Sequence, residues 1–126
     1  MVNSATPHGT VPVLYNGEAS AVIPVKVVLD TPTTPLTIYT PSNSEKYVGL
    51  VGLVFGEATT QDLTLISGVT PTFDITIPIP ANVAFFKSIG KPIFVCAQGD
   101  ALRFEAGVAI DELLAYVIEF DRIHID

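Results

Sequence analysis

The chain has 126 residues, the size of a single domain with one core. Apolar residues make up 48% of it and charged residues 15%, against roughly 25% charged in ordinary soluble domains, and the mean hydropathy is +0.50. Thirteen acids and six scattered bases give a net charge of −7. With no Lys/Arg stripe to neutralise phosphates, nucleic acid and anionic membrane are not expected partners.

In chain order, residues 1–10 (MVNSATPHGT) are small and polar with a Pro and a Gly, and read as a flexible N-terminal arm. Residues 11–126 read as one domain, with Val11–Asn16 as its first strand. In Ala21–Asp30 the odd positions Ala21, Ile23, Val25, Val27 and Leu29 form an apolar face, the period of a half-buried strand. Pro24 has no N–H to give to a ladder and predicts an edge or a bulge.

Strands over Pro35–Thr40, Lys46–Phe55 and Gln61–Ser67 follow. Within the second of these, Gly49 and Gly52 predict a bulge or a close backbone approach. In PTFDITIPIP, Phe73, Ile75, Ile77 and Ile79 face one way and Asp74, Thr76 and Pro78 the other, with Pro78 marking an edge or strand end. Ala81–Gly90 reads as a loop that exposes Val83, Phe85 and Phe86, which is unusual unless something covers them.

Gln98-Gly99-Asp100 has turn chemistry, and Leu102, Phe104 and Ala106 alternate behind it as an inward face. Leu113–Ile123 reads as the last strand after an Asp111-Glu112 loop. A short helix over Ile110–Tyr116 is the alternative, because apolar residues at 110, 113, 114, 117 and 118 also have helical spacing. About eight strands separated by Gly/Pro-rich turns predict an all-β fold: an eight-stranded antiparallel jelly-roll β-sandwich.

Candidate chemistry is sparse. In AQGDALRFEAG, Asp100 belongs to a hairpin turn, and Arg103 and Glu105 share an outer face where a surface ion pair is worth at most about 1 kcal/mol. Cys96 is the single cysteine, so no intrachain disulfide forms, and its apolar neighbours predict a buried, inert thiol. His8 and His124 lie near opposite ends with no HxH or HExxH spacing, so no metal site is expected, although Asp121 and Asp126 lie near His124. Asp111-Glu112 lacks the DxDxDG pattern of a calcium loop. There is no GxSxG and no phosphate-binding glycine loop, so neither an enzyme nor a cofactor is expected. The N-terminus lacks the charged and apolar regions of a signal peptide, and no apolar run is long enough to span a bilayer, so manufacture in a reducing cytoplasm is expected.

The order KYVGLVGLVFGEA, QDLTLISG, TFDITIPIPANVAFF, KPIFVCAQGDALRFEAG and LLAYVIEF resembles the small jelly-roll proteins that decorate or cement tailed-bacteriophage capsids. The resemblance covers roughly residues 21–120. It rests on a small-residue-Gly-Asp-Ala-Leu turn (Ala97, Gly99, Asp100, Ala101, Leu102) ahead of a closing strand with a central Tyr116. It implies a non-enzymatic virion protein on the capsid exterior, acting as a homodimer or homotrimer that binds the major capsid protein across capsomer junctions. Val83, Phe85 and Phe86 of the Ala81–Gly90 loop, and the arm around His8, are the expected contacts with capsid or neighbouring subunits. The alternative is a receptor- or glycan-binding module of a phage fibre, tail or baseplate.

Overall fold

The computed structural model describes residues 3–9, 11–15, 18–30, 34–86 and 92–121; of residues 11–15, 18–21, 85 and 86 the backbone alone is described. These residues hold eleven strands and no helix. The strands are β1 (Ser4–Pro7), β2 (Val11–Tyr15), β3 (Glu18–Leu29), β4 (Leu36–Tyr39), β5 (Tyr47–Phe55) and β6 (Gln61–Ser67). They continue with β7 (Phe73–Ile79), β8 (Val83–Phe86), β9 (Phe94–Val95), β10 (Leu102–Ala106) and β11 (Ile110–Phe120).

They form two antiparallel sheets. One runs β1-β3-β11-β5-β8, with β2 also beside β3 and β9 also beside β5; the other runs β4-β10-β6-β7. Four of the pairings are nested: β3 with β11, β4 with β10, β5 with β8, and innermost the consecutive strands β6 and β7. The chain thus doubles back on itself at the β6–β7 turn. Eight strands were expected; the additional ones are β1, β8 and β9.

The alternation read in the sequence positions the main core. Val25, Val27 and Leu29 of β3, Leu113, Ala115 and Val117 of β11, and Leu102, Phe104 and Ala106 of β10 are all buried in it. A second apolar cluster, Val22, Val51, Ile118 and Phe120 with Tyr47, Val95 and Tyr116 against it, lies apart from the main core. In β5 every residue from Val48 to Leu53 is buried. Its register against β11 shifts between Tyr116, opposite Gly52, and Val117, opposite Leu50, which makes Val51 the extra residue of a bulge. A Cβ at Gly49 would lie 3.2 Å from the Pro92 ring, the close approach that its glycine permits.

Three local expectations are corrected. Ser4–Pro7, inside the stretch expected to be a free arm, pairs with Val25–Val28, because a ladder asks only for backbone groups and small side chains do not oppose it. Pro24 lies inside a sheet, opposite Tyr116. The His8 N–H donates to the Pro24 carbonyl at 2.8 Å, so the missing N–H falls where β3 changes partner from β2 (at Val22) to β1 (at Val25). Asp111 and Glu112 form an irregularity within β11 rather than a preceding loop, and the whole of Ile110–Phe120 is strand, with none of the alternative helix. Pro78, by contrast, lies on β7, which pairs with β6 at the margin of its sheet as expected.

Candidate functional site

AQGDALRFEAG does not form a hairpin. Its first part follows β9, which pairs with β5 in one sheet, and its second part is β10 in the other. The turn therefore carries the chain between sheets. The Asp100 N–H donates to the Ala97 carbonyl at 3.0 Å, and the Gly99 N–H donates to the Lys46 carbonyl at 2.8 Å. Gly99 has φ +80°, and a Cβ there would lie 2.8 Å from the Ser44 carbonyl oxygen, so conformation and space both require glycine.

The Asp100 carboxylate ties this turn to the next one. It accepts hydrogen bonds from Ser67 Oγ at 2.8 Å and Thr72 Oγ1 at 2.7 Å, while the fully buried Ser67 accepts one from the Ala97 N–H at 2.9 Å. Cys96, beside them, is buried. Desolvation pushes its thiol up to about 12, opposed by a hydrogen bond with Ser67 and assisted by the Asp100 charge. A thiolate nucleophile is disfavoured there. Arg103 does not pair with Glu105. It donates from Nε to Thr37 Oγ1 at 3.3 Å and from a terminal nitrogen to the Pro35 carbonyl at 3.4 Å, because β4 lies alongside. Asp100 and Arg103 thus stitch turns and strands together, and do not converge on a common cavity.

Two further polar groupings were not foreseen. Glu119 accepts from Tyr39 Oη at 3.3 Å and from Ser42 Oγ at 2.9 Å, while Lys46 pairs with Asp121. Burial, then the Glu119 carboxylate, pushes the Tyr39 hydroxyl upward. Near β11, Lys26 Nζ donates to the Asp111 carbonyl at 2.6 Å. Burial and then the neighbouring Asp111 raise the Glu57 carboxyl above its ordinary value. Sequence alone could not bring these together, because each joins positions far apart in the chain. Among the described residues, no group of three or more His, Cys, Asp or Glu is arranged to hold a metal ion. His124 and Asp126 lie outside those residues.

The expected contact residues fall in different settings. His8 is exposed between β1 and β2. Val83 is half-buried and packs on the main core, paired with Phe55, because Val83–Phe86 is a strand rather than the expected loop. Phe85 and Phe86 pair through their backbone with Leu53 and Gly52; their side chains lie outside the described atoms. Among the described side chains, the large exposed apolar ones are Val69 (72% exposed), Phe73 (43%) and Ile75 (50%) at the β6–β7 end, and Val108 (51%) in the β10–β11 turn. Phe73 rests against Phe94 with ring centroids 5.5 Å apart. The period-two row of PTFDITIPIP together with Pro78 was the signal for this patch: an apolar face on a strand that a proline places at a sheet margin.

Comparison with protein-family models, with curated proteins and with solved structures gives no match. Among the described residues no helix is long and apolar enough to cross a membrane. Fold and surface define a two-sheet β-sandwich whose polar side chains knit its turns and which, among the described residues, exposes apolar side chains along the β6–β7 margin and at Val108.

Proposed function

We propose that this protein is a non-enzymatic structural virion protein that decorates and stabilises a bacteriophage capsid, bound across capsomer junctions on the outside of the shell. Its fold in this reading is a jelly roll. Supporting that, β3, β4, β5 and β6 pair in nested order with β11, β10, β8 and β7, a long hairpin rolled into two facing sheets. The eight strands of this nested arrangement include β8, which was expected to be a loop, in place of β2, which was expected to be the first strand; β1, β2 and β9 lie outside it.

The observation that carries the functional reading is the exposed apolar group Val69, Phe73 and Ile75 on the margin of a weakly charged sandwich. Apolar surface of this kind, on a domain already provided with a core, serves contact with other protein. The low charge lets such contacts form with little desolvation of ions. Its partners in this reading are the major capsid protein and further copies of itself, after synthesis in the host cytoplasm.

The test is co-sedimentation of the purified protein with empty shells of the major capsid protein encoded in the same genome. Saturable binding at a copy number fixed by shell symmetry, with a raised shell disruption temperature, is the expected result. The competing reading, a receptor- or glycan-binding module, has a shallow depression of ≈ 290 Å³ lined by Thr60, Gln61, Asp62, Gly107 and Val108 to use. Retention on a glycan array with no shell binding would favour it instead.

A further inference from the structure

We propose that β7 is a self-association edge, through which two copies of this chain join their four-stranded sheets by antiparallel pairing of β7 with β7 about a two-fold axis at Ile75. Among the described residues, β7 pairs with β6 on one side and no strand pairs with its other side. The opposite margin, β4, is flanked by β1 and β3.

Backbone direction follows from parity. The Gly68 N–H donates to the Ala101 carbonyl, toward β10. Alternation along β6 then turns Ser67, Leu65 and Leu63 toward β7, where they face Phe73, Ile75 and Ile77. The peptide groups of Asp74, Thr76 and Pro78 consequently point away from the sheet. Pro78, with no N–H to lose, sits at one of these outward positions, as edge prolines do.

The register follows from the same residues. A two-fold at Ile75 sets Asp74 opposite Thr76 of the second copy and Thr76 opposite its Asp74, and each of these two pairs exchanges two backbone hydrogen bonds. The half-exposed Ile75 meets its own copy, and Phe73 meets Ile77. Pro78 falls beyond the paired stretch. A two-fold at Thr76 would instead press the Pro78 ring against the Asp74 carbonyl, so that register is disfavoured.

Charge selects a second copy as the occupant. Residues 67–80 (SGVTPTFDITIPIP) carry one charge, Asp74, in a chain of net charge −7. At this strip two acidic copies approach with no like charges directly opposite, because Asp74 faces the Thr76 hydroxyl. A basic partner would find a single carboxylate there. Thr76 already shares a hydrogen bond with Thr64 at 2.7 Å, so the polar row continues from β6 across the axis. A seven-residue edge buries less than the ~800 Å² per partner of a standard interface, so the dimer forms reversibly with concentration. The β7 edge is the surface through which the further copies of itself in the shell-binding reading would meet, and to that extent the proposal rests on that reading, but self-pairing in solution does not require the shell.

Sedimentation equilibrium on the full chain, from dilute to concentrated solution, tests it. The wild type is expected to rise from the mass of one chain to that of two and stop there. Thr76→Pro, which removes an outward N–H, and Ile75→Lys, which places a charge in the apolar row, are expected to remain monomeric where the wild type is dimeric. Val108→Lys, an exposed apolar residue elsewhere, is expected to dimerise like the wild type. If Thr76→Pro fails to fold, the half-exposed Ile75→Lys carries the test. A wild type that stays monomeric, one that assembles as trimers, or a dimer indifferent to Ile75→Lys overturns the proposal. Shell binding measured separately distinguishes this failure from failure of the capsid reading.

Discussion

β5 and β7 are both apolar strands, yet they occupy opposite situations. β5 is buried along Val48–Leu53, with Leu50 and Leu53 in the main core and Val51 in the second cluster. β7 keeps one apolar row, buried at Ile79 and half open at Ile75 and Phe73. Two-sided burial of the β5 sheet absorbs much of the apolar content that the low charge left unexplained. Among the described residues, Val69, Phe73 and Ile75 are exposed where one sheet margin runs past its cover, and Val108 is exposed in the β10–β11 turn. Apolar composition alone therefore says little about contact surface; its position relative to the sheet edge decides the matter.

The sharpest way to break this contrast is to truncate both strands. Phe55→Ala removes a side chain that is 1% exposed and is expected to cost about 3–5 kcal/mol, read from the urea midpoint. A cost near that of a surface substitution would show that the β5 sheet is not covered as described.

Asp100→Ala comes next. It removes the acceptor of Ser67 and Thr72 and leaves the buried Ser67 hydroxyl without its carboxylate, at an expected cost of about 1–3 kcal/mol by the same measurement. Ser67→Ala is expected to cost less in the Asp100→Ala background than in the wild type, because the two share one hydrogen bond, while the loss of the Ala97 N–H acceptor remains in both.

Cys96 gives a pH reading of the same region. Its thiol is held at about 12, above the ordinary 9.0, chiefly by burial. The folded state therefore prefers the neutral thiol, and this contribution to stability is complete below pH 9.0 and lost as pH rises toward about 12. Alkylation of the native protein at mildly alkaline pH is expected to be slow and to become rapid on unfolding in urea. Rapid native labelling would contradict the burial. The smallest effect belongs to β7: Ile75→Ser is expected to change monomer stability by less than about 1 kcal/mol, because half of the side chain is already in water.

Much of the fold was legible in residue periodicity. Val25, Val27 and Leu29, or Leu102, Phe104 and Ala106, alternate with polar neighbours and lie in the core as that alternation predicts. Pro78 likewise marked its edge. Strand partnership was not legible at Ser4–Pro7 or Val83–Phe86, because short strands are fixed by backbone pairing with β3 and β5 rather than by a pattern of their own. Pro24 misled for a related reason: a proline tells where an N–H is missing, and a sheet can meet that need at a break between two partners. The polar stitches were legible least. Asp100 with Ser67, and Glu119 with Tyr39 and Ser42, bring together residues that only the folded topology places side by side.

The most direct test of the contrast between the two strands is amide hydrogen exchange at low and high protein concentration. Amides of Val48–Leu53 are expected to be strongly protected at both concentrations, whereas the outward amides of Asp74 and Thr76 are expected to exchange quickly when dilute and to slow markedly when concentrated. Fast exchange at Asp74 and Thr76 in concentrated solution, or protection along β5 no greater than along β7, would contradict the contrast.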